Sequence, residues 1–273
     1  MRMKNSFLEK ITLKVKEQVE REKKQWPIES LEEVQRKAPP SVSFRESFLR
    51  KDYPSIISEI KFGSPSAGTI RFRSDGDCVE IAGKYLKEKA SALSIVTEPF
   101  YFKGDIHDVK RVSLAYPEAR ILRKDFVIDE FQVLHSRVLG ASCLLLIVSL
   151  LGSQKLKHFL DLCEKYGIEA LVEVHDEEEF EIALEAGADL IGVNNRNLKT
   201  FDVSLETSLR LSKMKKEGVI LISESGITSF GEIRKLQAAG FDGFLIGSSF
   251  MKEKNPDQKL RNIIRGRESD IIL

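Results

Sequence analysis

Residues 177–194, EEEFEIALEAGADLIGVN, hold a helix, a turn and a strand in immediate succession. Apolar residues at helical spacing predict an amphipathic helix. Gly187 marks its end, because glycine accepts the left-handed backbone that follows a last helical turn. The short apolar run at 190–194 predicts a strand covered on both faces. Related turn sequences, LGAS at 139–142 and AGFD at 239–242, precede two other strand-like runs, so this unit recurs along the chain.

Strand-like runs alternate with helical stretches from residue 56 onward. They begin roughly every 20 to 36 residues, the spacing of βα units. There are eight of them: 56–61, 92–97, 120–124, 143–149, 170–174, 190–194, 219–224 and 241–247. Helical patterns occupy 79–90, 131–141, 155–167, 177–188 and 230–240. Eight successive units predict an α/β fold, the (β/α)8 TIM barrel. An open doubly wound sheet is the alternative, but its glycine-rich GxGxxG turn is absent from the sequence.

The segment before this repeat has a helical pattern of its own. A capping-box pattern beginning at Ser6 opens a helix that Pro27 should end, and a second helical stretch follows at 30–38. We therefore expect residues 1–50 to form an N-terminal helical extension packed on the barrel. Residues 51–273 should form the barrel itself, within a single domain overall. Such an extension could cover one barrel mouth or form an oligomer contact, and we expect most of its residues to take no part in chemistry.

Composition narrows the class of protein. The formal net charge is +1 and 42% of the residues are apolar, so a large core is available and no bulk positive charge favours nucleic acid or an acidic membrane surface. The three cysteines form no CxxC pair, which is typical of a reducing compartment. No run reaches the roughly 18 apolar residues of a membrane span. We expect a soluble cytoplasmic protein, a monomer or weak homo-oligomer, without nucleic-acid or membrane partners.

Charged residues gather where the predicted strands end. Because side chains alternate along a strand, Glu59 and Lys61 share one face, and so do Leu122 and Lys124. The same position relative to a strand end is occupied by Glu173, by Asn194 with Arg196 two residues beyond, and by Glu224. Singly, each could be a solvated or helix-capping residue. In a barrel, however, the active site lies at the carboxyl ends of the strands, where acids and amines shift one another's pKa values and serve acid–base catalysis.

Glycine and serine residues follow the last two strand-like runs. Gly226 follows the seventh run, and Gly247 with Ser248 follows the eighth. Barrels commonly bind phosphate at these two loops through backbone N–H groups, and Ser64 in the loop after the first run adds a donor. No GxxxxGK[ST] motif occurs, which favours a phosphorylated substrate over a nucleotide. The histidines form no HxH or HExxH pattern, so no metal site is expected.

Aromatic residues occupy the loops after the second and third runs. Phe102 lies in TEPFYFKG at 97–104, and Phe126 follows Lys124 by two residues. Such a loop cluster suits either internal packing or the face of a flat substrate ring. The residues alone leave both interpretations open.

Seven motifs, in order, resemble those of the indole-3-glycerol phosphate synthase family over nearly the whole chain. They are EIKFGSPSAG (59–68), SIVTEPFYFKG (94–104), ILRKDFVIDEFQ (121–132), LVEVHDEEE (171–179), IGVNNRNLKTFDV (191–203), SESGIT (223–228) and FLIGSSFM (244–251). The resemblance implies a carboxy-lyase of tryptophan biosynthesis. It would close the ring of 1-(2-carboxyphenylamino)-1-deoxyribulose 5-phosphate, with loss of carbon dioxide and water, without a metal or cofactor.

The resemblance also implies roles for the strand-end residues. Lys124 would be the general acid that promotes attack of the aromatic carbon on the sugar carbonyl. Lys61 would orient the substrate, hold its carboxylate or act in dehydration. Glu173 would be the general base or would stabilise a cation, and Glu59 would orient both lysines. The remaining members of the implied catalytic set would position hydroxyl groups: Asn194, Glu224 and Ser225.

Substrate binding is implied for a second group of residues. Arg196 would lie near the substrate carboxylate. The phosphate would be bound by Ser64, Gly226, Gly247 and Ser248, and the aromatic ring by Phe102 and Phe126. Two alternatives remain: a phosphoribosylanthranilate isomerase-like barrel, which would carry a Cys/Asp pair at strand ends, and a catalytically silent barrel that only binds a sugar phosphate.

Overall fold

Parallel strands close into a barrel in the computed structural model, which describes residues 7–49 and 52–266. The last strand returns to the first, where Gly243 pairs with Ser55. The barrel strands are β1 (Ser55–Ile60), β4 (Ala92–Val96), β5 (Ile121–Lys124), β6 (Cys143–Ile147), β7 (Glu169–Val174), β8 (Leu190–Asn194), β9 (Ile220–Glu224) and β10 (Gly243–Ile246). A short antiparallel hairpin, β2 (Gly63–Ser64) and β3 (Gly68–Thr69), follows β1. The predicted TIM barrel is confirmed.

Helices alternate with the barrel strands. Two precede the barrel, α1 (Phe7–Gln25) and α2 (Ile28–Lys37), followed by a 3-10 turn, Arg45–Phe48. The others are α3 (Asp77–Lys87), α4 (His107–Ala115), α5 (Glu130–Val138), α6 (Val148–Tyr166), α7 (Glu177–Glu185), α8 (Glu206–Leu211), α9 (Phe230–Ala238), α10 (Ser248–Met251) and α11 (Pro256–Ile264). Gly187 has a φ of 91°, the left-handed conformation predicted for the residue after α7. No helix of these ranges is long and apolar enough to cross a membrane.

Four of the predicted strand runs extend beyond the observed strand ends. Two of them do so by a single residue, because β4 ends at Val96 and β10 at Ile246. The run 143–149 is a strand only to Ile147, because Val148 begins α6 with a turn that Gly152, at a φ of 67°, separates from the rest of the helix. Apolar residues occur in a buried strand and in a buried helical turn alike, so the pattern could not separate them. The first run also ends early, at Ile60, which leaves Lys61 just beyond β1.

Alternate strand residues form two separate layers of core. Leu145, Leu171 and Leu245 belong to one cluster of buried residues, and the strand residues of this cluster fill the barrel interior. Their neighbours Leu146, Val172 and Ile246 belong to the other, which packs between the strands and the surrounding helices. This alternation continues to the strand ends, so the parity of a residue decides whether its side chain enters the barrel.

The N-terminal helices pack along the side of the barrel. Ile11, Val15 and Val19 form the buried face of α1 and join the same cluster as Phe131 and Leu134 of α5. The helix ends at Gln25 ahead of Pro27, as predicted, and α2 follows at once. The capping residue predicted at position 6 lies outside the described residues.

The segment after α2 closes the amino-terminal end of the barrel. Phe44 and Phe48 are buried in the interior cluster, and Phe48 occupies the space beside Gly243. The carboxylate of Glu169, the first residue of β7, accepts hydrogen bonds from Phe44 N at 3.0 Å and from Arg45 N at 2.8 Å. These two bonds satisfy backbone N–H groups at the start of the 3-10 turn. One chain segment thus runs from the barrel wall to its base.

Candidate active site

A cavity of about 610 Å³ opens at the carboxyl-terminal ends of the barrel strands. Each residue that the sequence predicts for catalysis or binding lines it: Glu59, Lys61, Ser64, Phe102, Lys124, Phe126, Glu173, Asn194, Arg196, Glu224, Ser225, Gly226, Gly247 and Ser248. Strand parity therefore brings these side chains together as expected, although their individual roles stay predictions. Among the described residues, no three His, Cys, Asp or Glu side chains are placed to hold a metal ion together.

Lys124, the last residue of β5, lies between carboxylates from two other strands. Its Nζ donates to Oε2 of Glu224 at 2.8 Å and to Oε2 of Glu173 at 3.1 Å. Burial alone would lower the pKa of Lys124, but the charges of Glu173, Glu224 and Glu59 outweigh it and raise that pKa above its ordinary range. Lys124 is therefore a firmly protonated ammonium at the centre of the site.

The two carboxylates that share Lys124 ionise at different pH. Burial raises the pKa of Glu224 to about 7, and the negative charge of Glu173 adds to the rise. Burial would also raise the pKa of Glu173, but Lys124 and His175 outweigh it and hold that pKa below its ordinary range. At neutral pH Glu173 is thus an anion, whereas Glu224 can take up or release a proton. A pair divided in this way can perform two different tasks in one site.

Glu59 and Lys61 form a pair at the end of β1. Oε1 of Glu59 lies 2.5 Å from Nζ of Lys61, and the Glu59 side chain is 2% exposed. Gly247 is the residue after β10, and a Cβ added there would collide with the Glu59 carboxylate. A glycine is therefore required at 247 by the close approach of the backbone to this side chain.

Asn194 and Arg196 extend the site from β8. Asn194 Oδ1 accepts a hydrogen bond from Arg196 N at 3.0 Å, and the Asn194 side chain also helps to lower the pKa of Glu173. The Arg196 guanidinium donates to the carbonyl oxygen of Phe201 at 3.0 Å, within its own loop. This bond holds the cation at the cavity wall, where it can meet an anionic group of a ligand.

The residues predicted to bind phosphate come from three neighbouring strands. β10 pairs with both β9 and β1, so the loops after these strands adjoin. Ser225 and Gly226 both take the left-handed backbone, with φ values of 66° and 84°, and turn the chain at the end of β9. Ser64 is 8% exposed, and its Oγ accepts a hydrogen bond from Ala67 N at 3.1 Å. Glycine and serine at these ends let a phosphate approach the backbone.

Aromatic side chains form another wall of the cavity. The ring centroids of Phe102 and Phe126 lie 6.1 Å apart. Phe7, the first described residue of α1, also lines the cavity and makes edge contacts with Tyr101 at 5.1 Å and with Phe201 at 5.4 Å. The N-terminal extension therefore reaches the site. The sequence reasoning allowed it to cover a barrel mouth but named none of its residues as part of the site.

Two further groups escaped prediction although they lie in quoted motifs. Glu98 is buried, and its carboxylate accepts hydrogen bonds from the backbone N–H groups of Phe100 (2.7 Å), Tyr101 (2.7 Å) and Phe102 (2.9 Å). These three bonds hold the backbone of the loop that carries Phe102 in its turn. His175 contacts Glu173, although the sequence analysis placed no histidine in the site. The sequence did contain a signal for each group. Glu98 stands just before the aromatic loop, and His175 follows the strand-end acid Glu173 by two residues.

Comparisons with known proteins point to one family. Residues 8–263 match the family model described as indole-3-glycerol phosphate synthase. The chain is 44% identical over 262 residues to the indole-3-glycerol phosphate synthase of Thermoanaerobacter sp. (strain X514), which covers 94% of this chain and 97% of that protein. It is 40% identical over 259 residues to the enzyme of that name from Acinetobacter baylyi, covering 94% and 95%.

The solved structures support the fold alone. The 3-hexulose-6-phosphate synthase of Salmonella typhimurium matches with a TM-score of 0.63 at 15% identity, over 77% of this chain and 97% of that one. Family membership rests instead on the match from residue 8 to residue 263 and on relatives of nearly equal length. On both grounds, the chain belongs to the indole-3-glycerol phosphate synthase family.

Proposed function

We propose that this chain converts 1-(2-carboxyphenylamino)-1-deoxyribulose 5-phosphate into indole-3-glycerol phosphate, with loss of carbon dioxide and water, as a carboxy-lyase of tryptophan biosynthesis. The family to which the chain belongs supports this activity. The observation that carries it is the Lys124 ammonium held between Glu173 and Glu224 on the cavity floor. A proton donor, a fixed anion and a titrating carboxyl there meet the needs of ring closure and dehydration.

Lys124 is the general acid of the first step. The aromatic carbon that bears the carboxylate attacks the sugar carbonyl carbon, a carbon–carbon bond forms, and the carbonyl oxygen takes a proton from Lys124. The raised pKa keeps this proton from water, whereas a developing alkoxide is basic enough to accept it. Loss of carbon dioxide then returns its bonding electrons to the ring.

Glu173 stabilises positive charge on nitrogen. The ring nitrogen becomes cationic when the new ring closes and again when the hydroxyl group leaves as water. Glu173 remains ionised because Lys124 and His175 hold its pKa low, so its charge is in place before each cation forms. Glu224, with a pKa of about 7, is suited to exchange protons during dehydration, and Asn194 and Ser225 position the hydroxyl groups.

The remaining groups bind the substrate. Lys61, held by Glu59, and Arg196 face the aryl carboxylate. Phe102 and Phe126 flank the flat ring. The phosphate is bound at the strand-end loops by Ser64, Gly226, Gly247 and Ser248.

A fluorescence assay tests the proposal. The purified protein should convert the substrate with a rise in indole fluorescence in buffer without added metal. Substrate binding without turnover would instead support a catalytically silent barrel. Turnover of phosphoribosylanthranilate in place of the carboxyphenylamino compound would support the isomerase-like alternative.

Some expectations about the whole chain stay predictions. They are the division into an extension (1–50) and a barrel (51–273) within a single domain, the monomeric or weakly oligomeric state, the absence of a nucleic-acid partner and a cytoplasmic location. The small net charge of +1 supports the absence of a nucleic-acid partner. Size-exclusion chromatography with light scattering tests the oligomeric state.

A further inference from the structure

His175 lies between two carboxylates just beyond the end of β7. Its Nε2 is 3.3 Å from Oε1 of Glu173, and its Nδ1 is 2.9 Å from Oε2 of Glu179. The His175 side chain is 14% exposed and the Glu173 side chain 3%. Solvent therefore screens the contact between His175 and Glu173 only weakly.

The two contacts define the protonation state of the ring. A neutral imidazole has one N–H group and one lone pair, so at one of these contacts a lone pair would face a carboxylate oxygen. An imidazolium has no such lone pair: its Nδ1–H donates to Glu179, and its Nε2, which makes no hydrogen bond within the described residues, faces Glu173 as one half of an ion pair. Burial would lower the pKa of His175, but Glu173 and Glu179 outweigh it and raise that pKa to about 10. His175 is therefore a cation at neutral pH.

The start of α7 fixes the position of this cation. Asp176 caps the helix, and its Oδ1 accepts a hydrogen bond from Glu179 N at 2.9 Å. The carboxylate of Glu179 turns back and accepts from His175 N at 2.9 Å as well as from the ring. Backbone and ring of His175 are thus tied to the same carboxylate, which is itself set by the helix cap.

Glu173 is consequently held from both sides. Lys124 contacts its Oε2 and His175 contacts its Oε1, and the Asn194 side chain helps to lower its pKa. The charged groups that face the ring directly are Glu173 on β7 and Glu179 on α7. Contacts on both oxygens fix the plane of the Glu173 carboxylate, which contacts on one oxygen would leave free to rotate.

We propose that His175 is a positioning residue for the reaction, and that its imidazolium fixes the orientation and the negative charge of Glu173 toward the cationic intermediates. This inference rests on the proposed function and adds to it a residue that does not touch the substrate. It assigns the helix cap of α7 a part in catalysis, because the cap orders Glu179, Glu179 orders His175 and His175 orders Glu173.

The first test compares His175→Gln with His158→Gln. Glutamine keeps a neutral donor near Nε2 but removes the charge, so kcat should fall about tenfold or more, the effect of losing a buried ion pair beside Glu173. The acid limb of kcat/KM should move to higher pH, because Glu173 loses a cation and its pKa rises. His158 also pairs with one carboxylate, Glu130, but is 52% exposed, and its variant should match the wild type in both respects.

The outcomes separate this inference from the proposed function. An unchanged kcat, or a lower kcat with an unmoved acid limb, would overturn the positioning role while the wild type still turned over substrate. A wild type without synthase turnover would overturn the proposed function instead.

A second measurement needs no turnover. Nuclear magnetic resonance titration of the histidine rings, with the His175 signal assigned from its loss in His175→Gln, should show an imidazolium up to about pH 8. Glu179→Gln should lower the pKa of His175, because one of its two carboxylate partners is gone. A His175 that is neutral at pH 7 would refute the inference even in an active enzyme.

Discussion

Replacing Glu224 by glutamine should make the folded protein more stable at alkaline pH while it impairs turnover. The side chain is 1% exposed, and burial raises its pKa from the ordinary 4.5 to about 7. At about 1.4 kcal/mol for each pH unit, keeping this carboxylate ionised in the fold costs about 3 kcal/mol. Glutamine resembles the protonated side chain and avoids that cost.

The sign of the pH dependence follows from the direction of the shift. Because the pKa is raised in the folded state, the folded wild type binds the proton more strongly than the unfolded chain between pH 4.5 and about 7. The wild type therefore loses stability as the pH rises through this window, and the variant does not. The difference in the free energy of unfolding should be small at the acid end and reach its full value above pH 7.

Urea unfolding of both proteins at about pH 5 and about pH 8.5 measures this difference. Glu33→Gln serves as the matched control, because Glu33 is 60% exposed and, within residues 7–49 and 52–266, its ion pair is with Lys37 one helical turn away. Its difference from the wild type should be small at both pH values. Equal stabilities of wild type and Glu224→Gln at the alkaline pH, or a difference that does not change with pH, would refute the reasoning.

Three other substitutions test separate parts of the site. Lys124→Ala should lower kcat about a hundredfold or more, the contribution of a general acid, while circular dichroism shows an intact fold. Gly247→Ala should lower kcat about tenfold or more in steady-state kinetics, because the new Cβ collides with Glu59 and displaces the group that holds Lys61. Phe7→Ala should raise KM about two- to tenfold with little change in kcat, because it removes ring contacts from the cavity wall.

For each of the three substitutions, a specific result would contradict the role assigned to the residue. Normal turnover in Lys124→Ala would remove it from the acid role. Gly231→Ala, where a new Cβ meets nothing closer than 3.9 Å, should behave as the wild type, and an equal loss there would show that Gly247→Ala acts through general stability. Leu13 lies on the same helix as Phe7 but is 60% exposed, so a KM change in Leu13→Ala would point to the helix as a whole.

Strand parity explains why so much of the site could be predicted. A barrel strand is regular, so Lys124 and Glu173 face inward once their strands are known. The resemblance of the sequence motifs to a known family then implied a role for each group before its position in the fold was known. The spacing of the eight units was equally informative, and a related helix-to-strand turn recurs before the fourth, sixth and eighth strand-like runs.

The remaining features depend on contacts between distant parts of the chain. Phe7 meets Phe201 only after the extension has packed on the barrel, and no local pattern encodes that approach. The opposite pKa shifts of Glu173 and Glu224 depend on which oxygens meet Lys124 and His175. The first turn of α6 was read as strand because its apolar residues are buried in either conformation.

The contact between Phe48 and Gly243 has a consequence for the order of folding. Phe48 precedes the first barrel strand, whereas Gly243 begins the last, and the space beside this glycine is filled by the phenylalanine ring. Contacts so far apart along the chain require closure of a long loop and therefore form late. During synthesis, the base of the barrel can be sealed only when the ribosome has released β10, although the residue that seals it emerged before β1.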